Sequence, residues 1–252
     1  MYFMYVRRDI VAAYKQTILG PLWYVIQPLF TMVIYMFIFG DLAKIPTDGI
    51  PQPLFYFSGI MLWNYFLSSF GFSSDIFIAN NYLFGKVYFP RLIIPFASMT
   101  ANLFKFGIQF LMFIIIYLYF LFRGLDISVN WTILLLPLLI IILSVYSLSW
   151  GIILSSMTYK YRDLRQIITF GMQLFMYVTP VVYPLNATPN GFKFLIELNP
   201  LTPVFEIFRY GTMDCGSISW WNLGYSCGLM IITFFAALSI FNQTEKTFMD
   251  SV

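Results

Sequence analysis

Histidine is absent from the 252 residues, and cysteine occurs only twice, at Cys215 and Cys227. Without an imidazole there is no His general base, no Ser-His-Asp triad and no His-ligated metal. Two cysteines exclude a disulfide framework and a Cys₄ zinc site. Charge is scarce as well. Lys, Arg, Asp and Glu make up 10% of the chain, against about 25% in an ordinary soluble domain. So few charges cannot cover a water-exposed surface, which excludes a soluble globular fold, disorder and a coiled coil. The net charge of +3 is too small to argue for a nucleic-acid partner. What is plentiful is apolar surface: 60% hydrophobic and 21% aromatic residues, with a mean hydropathy of +0.79. The class is a polytopic membrane protein, of a length that suits one bundle.

Six apolar stretches stand out, at roughly 21–39, 53–72, 106–122, 133–157, 164–184 and 220–241. Each is close to the ~20 residues that carry a helix across a ~30 Å hydrocarbon core. None shows the alternating pattern of an outer-membrane barrel. The expected fold is therefore all-α, with six transmembrane helices. Ahead of them Val6, Ile10 and Tyr14 share one helical face, while Arg8 and Lys15 share another. That pattern predicts an amphipathic helix over 1–19 that lies in the membrane interface, rather than a signal peptide.

Lys105 interrupts a run, 92–122, that is otherwise nearly all apolar. At mid-membrane a lysine costs roughly 2.5–3.5 kcal/mol, so the sequence places Lys105 at an interface, about 26 Å from Phe122, with 92–104 as an approach segment. With six spans both termini share a side. That side would hold Arg7, Arg8, Lys15, Lys86, Arg91, Lys105, Lys160, Arg162, Arg165 and Lys246, against Lys44, Arg123, Lys193 and Arg209 opposite. The positive-inside rule then makes both termini cytoplasmic. The last outer loop, 185–219, is long and broken by prolines. It predicts two short helices, over 192–198 and 204–212, that dip toward the bilayer and pack on protein. Within it Glu206 and Arg209 stand three apart and are expected to pair.

No acidic residue falls inside an expected span, which disfavours coupling to an ion gradient. A P-loop is also excluded, because the Gly85-Lys86 pair would need a glycine where Asn80 stands. If transport is driven, the motor is another subunit. Trp23, Phe30 and Phe37 repeat at seven residues with Gln27 among them, and Phe170 and Tyr177 do so with Gln173 between. Seven residues are nearly two helical turns, so each set shares a face. Such a face can stack on sugar rings while its amides bond hydroxyls. The same residues can equally serve helix packing or an interfacial belt. A third feature is the turn-rich stretch from Asn80 to Arg91, whose aromatics lie between Gly85 and Pro90 like a plug for a groove on a partner.

Several of these segments resemble one family. Arg8-Asp9-Ile10, then Tyr14-Lys15-Gln16-Thr17-Ile18-Leu19-Gly20-Pro21-Leu22-Trp23 and Gln27-Pro28, look like its opening. Lys86-Val87-Tyr88-Phe89-Pro90-Arg91 with Pro95 resembles its first cytoplasmic loop, and Tyr161-Arg162-Asp163-Leu164 its second. Thr179-Pro180-Val181-Val182-Tyr183-Pro184 and Asn199-Pro200-Leu201-Thr202-Pro203 follow in the same order. Together they are similar to the ABC-2 type permeases, membrane subunits of exporters of O antigen, teichoic acid and capsular polysaccharide.

The resemblance implies one transmembrane domain over 1–252 that is not an enzyme by itself. It implies a homodimer bound to two copies of a separate ABC ATPase, which would bind ATP and Mg while this chain holds no cofactor. The cargo would be a lipid-linked polysaccharide and the location the bacterial inner membrane. Arg7, Arg8, Tyr14 and Lys15 would belong to the interfacial helix. Phe84, Gly85, Lys86, Val87, Tyr88, Phe89, Pro90 and Arg91 would couple to the ATPase, within a loop at 80–91. An aromatic-lined channel would run between protomers along the first and fifth spans. Spacing then offers Trp23, Gln27, Phe30, Phe37, Phe170, Gln173 and Tyr177 as its lining. An ABC-2 permease for a small lipid or drug is the alternative.

Overall fold

The computed structural model describes residues 2–15, 18–76, 92–125, 128–158 and 163–251, with side chains through residue 244 except at positions 13, 14 and 190. All regular structure among the described residues is helical. The order is α1 (Tyr2–Tyr14), α2 (Trp23–Tyr35), α3 (Gln52–Ser74), α4 (Ile93–Phe122), α5 (Leu136–Thr158), α6 (Leu164–Val178), α7 (Asn190–Glu197), α8 (Thr202–Met213) and α9 (Trp220–Ser251). A 3₁₀ turn at Gly20–Leu22 leads into α2, and a π-helical segment at Met36–Leu42 extends it. Another 3₁₀ turn, Trp131–Leu135, leads into α5.

Among the described residues four helical stretches are long and apolar enough to cross a membrane: Gly20–Leu42, Ile93–Phe122, Trp131–Thr158 and Trp220–Thr244. The two other expected spans are also helices, but differ in kind. Helix α6 has only 15 residues, about 22 Å at ~1.5 Å per residue. Helix α3 has 23 residues, 15 of them buried. It packs against α2, α4, α5 and α8. A helix wrapped in protein has no need of uniformly apolar faces, and α3 carries Ser58, Asn64, Ser68, Ser69 and Ser73 along its length. Its closest neighbour is α5. A Cβ at Gly151 would stand 2.3 Å from the Ser73 Cβ and 2.9 Å from the Phe70 carbonyl oxygen. Small residues let the two backbones approach in this way. Tyr65 and Ser144 hydrogen-bond across the same contact.

The expected approach segment, 92–104, is continuous with the span that follows, because α4 runs unbroken for 30 residues, Ile93–Phe122, with Lys105 near its middle. The ammonium is half-buried and lies 5.5 Å from the Tyr24 ring and 5.1 Å from the Phe72 ring. Aromatic faces thus receive its charge. The first half of α4 instead carries α1. Tyr2 hydrogen-bonds Thr100, and Ser98 Oγ donates to Asp9 Oδ2 at 2.7 Å.

Candidate functional site

The seven residues offered as a lining are all exposed in the single protomer. Among the five aromatics exposure runs from 47% at Trp23 to 67% at Phe30. Neither Gln27 nor Gln173 makes a side-chain hydrogen bond among the described residues. Helices α2 and α6 meet where Tyr35 Oη donates to Met176 Sδ at 3.4 Å. Each stripe is therefore continuous along its own helix, and the two helices touch near their C-terminal ends. Among the described residues no hydrogen bond or ring contact links the two stripes within one protomer.

Two cavities flank the exposed face of α6. One of about 260 Å³ lies near its N-terminal half and is lined by Gln173, Thr169, Arg165, Asp75 and Ser74. The Arg165 guanidinium is paired there with the Asp75 carboxylate at 2.5 Å. The other, about 500 Å³, lies beyond the C-terminal end and is lined by Tyr177, Tyr183, Phe192, Lys44 and Thr188. Behind α6 is a third space of about 520 Å³, lined by Phe66, Tyr146, Trp150, Ile168, Met172 and Phe175 among others. Helix α6 is thus flanked by open volume along much of its length and buries none of its side chains.

Its C-terminal end is nevertheless anchored. Arg209, 1% exposed on α8, donates from Nη1 to the Pro180 carbonyl and from Nη2 to the Val181 carbonyl, each at 2.7 Å. A longer bond from Nη1 reaches the Tyr183 carbonyl at 3.4 Å. The guanidinium carbon lies 3.9 Å from the centre of the Phe55 ring of α3. Gly59 makes room for this contact, since a Cβ there would stand 2.3 Å from the Val181 oxygen and 3.0 Å from Arg209 Nη2. From another side, Asn199 Nδ2 donates to Thr179 Oγ1 at 2.9 Å, and its Oδ1 accepts from the Leu201 amide at 3.0 Å. Ser226 of α9 donates to the Pro200 carbonyl at 2.7 Å. The two proline-rich motifs, 179–184 and 199–203, are therefore halves of one hydrogen-bonded junction.

The expected Glu206–Arg209 ion pair is not formed. Arg209 turns its two Nη groups to backbone carbonyls, which the helix-ending turn leaves without helical partners, while its Nε is buried without a hydrogen bond. Glu206 Oε2 accepts from the Ser217 amide at 3.3 Å, and its Oε1 is buried without a hydrogen bond. Burial holds the Glu206 carboxyl above its ordinary value of 4.5, since desolvation disfavours the charged form. For the same reason the Arg209 guanidinium is lowered to about 10, with Glu206 opposing the shift. Sequence reasoning missed this junction. Its available signal was α8 itself: Phe205, Ile207, Phe208 and Met213 apolar around several faces, which marks a helix buried on every side.

The residues assigned to the interfacial helix divide. Arg7, Arg8 and Lys15 are exposed, but Arg8 is already paired with Asp9 at 2.8 Å. The side chain of Tyr14 and the whole proposed coupling segment, Phe84, Gly85, Lys86, Val87, Tyr88, Phe89, Pro90 and Arg91, lie outside the described residues.

The family model described as ABC-2 type transporter matches residues 2–213, from the start of α1 to the end of α8. The chain belongs to the ABC-2 type transporter family. It is 32% identical over 246 residues to an O-antigen export system permease protein RfbA of Klebsiella pneumoniae, covering 96% of this chain and 90% of that protein. A protein of the same name from Myxococcus xanthus is 24% identical over 252 residues, 98% of this chain and 93% of the relative. The polysialic acid transport protein KpsM of Escherichia coli is 21% identical over 249 residues, 97% and 93% of the two chains. The similarity therefore covers essentially all of this chain.

Proposed function

We propose that this chain is the membrane subunit of an ATP-driven exporter that moves a lipid-linked polysaccharide across the bacterial inner membrane. Relatives named for O-antigen export and for polysialic acid transport support the polysaccharide class. In this reading α2 to α6 and α9 supply six spans, α1 lies in the cytoplasmic interface, and α7 and α8 dip into the outer side. Two copies assemble with two copies of a separate ATPase, which binds ATP and Mg. The loop that contains Phe89 and Arg91 docks in that ATPase.

The observation that carries the conduit reading is the exposed amide pair. A primary amide facing hydrocarbon without a partner costs roughly 2–7 kcal/mol, yet Gln27 and Gln173 stand on open faces among aromatics. A wet, sugar-bearing channel between two copies removes that cost, whereas a lipid-facing surface would not. Flanking cavities at Gln173 and Tyr177 give the same face openings toward either end of α6.

The test is reconstitution of the chain with its ATPase in proteoliposomes and measurement of glycan translocation. Alanine at Trp23, Phe30 and Tyr177 should slow translocation about tenfold, as loss of aromatic stacking does at other polymer sites. Alanine at Trp221 and Phe235, exposed on α9, should leave the rate nearly unchanged. Equal losses in both sets would remove the conduit assignment. Arg91→Glu or Phe89→Ala should detach or uncouple the ATPase, and normal copurification with stimulated hydrolysis would count against the docking loop. ATPase activity stimulated by small lipids but indifferent to glycan would favour the small-substrate permease instead.

A further inference from the structure

We propose that Arg209 is a positioning residue for transport: it pins the C-terminal end of α6, so that the conduit face is held in register against the rest of the protomer. The proposal rests on the exporter reading for its transport consequence, and on geometry alone for the pin. None of the α6 side chains is buried, and on the inner side of the helix a space of about 520 Å³ separates much of it from α3 and α5. Side-chain packing therefore holds this helix only in part, through half-buried Met172, Phe175 and Met176 against the core and the Arg165–Asp75 pair near its N-terminal end. What fixes its C-terminal end is the turn that follows, 179–184, where Arg209 donates to the buried carbonyls of Pro180 and Val181 and, at longer range, to that of Tyr183. Asn199 braces Thr179 beside them.

An arginine suits this task better than a lysine. Its planar fork presents two nitrogens in fixed relation, and it stays charged when buried. Here the fork grips Pro180 and Val181 with one nitrogen each while its face rests on Phe55. Gly59 completes the fit from α3, because any side chain there would push on both the Val181 carbonyl and the guanidinium. The pin is thus built from three elements, α3, α8 and the end of α6. Pre-organised geometry of this kind is what a binding or reacting surface requires from its supports.

The test has two readouts. In a chain with Cys215 and Cys227 replaced by Ser, spin labels at Leu174→Cys and Phe122→Cys report the distance from α6 to the end of α4. A narrow distribution is expected with Arg209, and a broad one with Arg209→Met. Gly59→Ala should broaden it as well, because it reaches the pin from the opposite side and leaves Arg209 intact. Arg209→Lys should restore part of the narrow population. In proteoliposomes with the ATPase, both Arg209→Met and Gly59→Ala should lower the maximal translocation rate roughly tenfold, the order expected when a supporting contact is misplaced. ATP hydrolysis and the half-saturating glycan concentration should stay near wild type.

Unchanged distance distributions in both variants overturn the pin. Broad distributions with full translocation overturn its role in transport, and so does a translocation loss that tracks only the loss of assembled complex. A wild-type complex that moves no glycan refutes the exporter reading instead, while the spin-label distances still decide whether Arg209 holds α6.

Discussion

Helix α6 has 15 residues and buries none of them; α8 has 12 and buries eleven. Their compositions suggest the reverse order. The α6 sequence is apolar enough to have been read as a membrane span, whereas α8 contains Thr202, Glu206, Arg209 and Thr212. Polar groups stay inside α8 because each of these four residues finds at least one partner, although Glu206 Oε1 and Arg209 Nε have none. Thr202 Oγ1 donates to the Ile196 carbonyl at 2.6 Å, Thr212 Oγ1 to the Phe208 carbonyl at 2.8 Å, and Arg209 to the turn after α6. The apolar side chains of α6 are at most half-buried, with Met172, Phe175 and Met176 turned to the core and Ile167, Phe170, Leu174 and Tyr177 exposed. In a membrane protein, then, hydropathy reports how a helix meets the bilayer or another chain, while burial within the subunit follows from hydrogen-bond satisfaction and close approach.

The sharpest way to break this contrast is to truncate one packed side chain in each helix. Phe208 is 2% exposed, with its ring centre 5.6 Å from that of Phe113 on α4. Phe208→Ala should cost about 3–5 kcal/mol, the range for a fully packed aromatic. Leu174→Ala on α6, where Leu174 is 51% exposed, should stay within about 0.5 kcal/mol. Thermal unfolding in detergent micelles measures both. Similar losses would mean that α6 is packed within the subunit after all.

Two glycines sharpen the same comparison on a smaller scale. Gly151→Ala would force a methyl group against Ser73 and the Phe70 carbonyl, and overpacking of this kind costs about 1–3 kcal/mol. Gly171→Ala on α6 would meet no atom within 4 Å. It should be neutral, or stabilising by up to about 1 kcal/mol through helix propensity. A destabilised Gly171→Ala in the isolated subunit would contradict the open space behind α6.

Much of this architecture was legible in the residues. Apolar length announced the long helices, and the prolines at 184, 189, 200 and 203 announced the breaks around α7 and α8. The stripe residues Trp23, Phe30, Phe37, Phe170 and Tyr177 are exposed as a face not claimed by the subunit core should be. Other features were not legible, for physical reasons. The ring contacts of Lys105 are invisible locally because its two aromatic partners, Tyr24 and Phe72, are 81 and 33 positions away in the chain. Arg209 looks like a partner for Glu206 because local spacing is visible in a sequence and the stranded carbonyls of a distant turn are not. In both cases the partners that matter are tertiary ones, not near neighbours in the chain.

The smallest expected effect concerns Glu206, and it separates α8 from α6 by pH. Desolvation raises its carboxyl above 4.5, while Arg209 and the Ser217 amide offset part of the rise. The folded chain therefore keeps a proton over a window that opens near 4.5 and closes at the raised folded value. Across that window the unfolded chain has already released its proton, so ν_U − ν_N is negative and stability falls as pH rises. Below the window the contribution is fully present, and above it the loss is complete and constant. Glu206→Gln has nothing to ionise at this position. Its unfolding midpoint should match the parent at the acid end, then pull ahead as pH rises through the window and hold a constant lead beyond it. The Leu174→Ala variant on α6 should run parallel to the parent throughout. Parallel curves for Glu206→Gln and the parent would show that the buried carboxylate is fully compensated, and that α8 tolerates its charge as easily as α6 tolerates exposure.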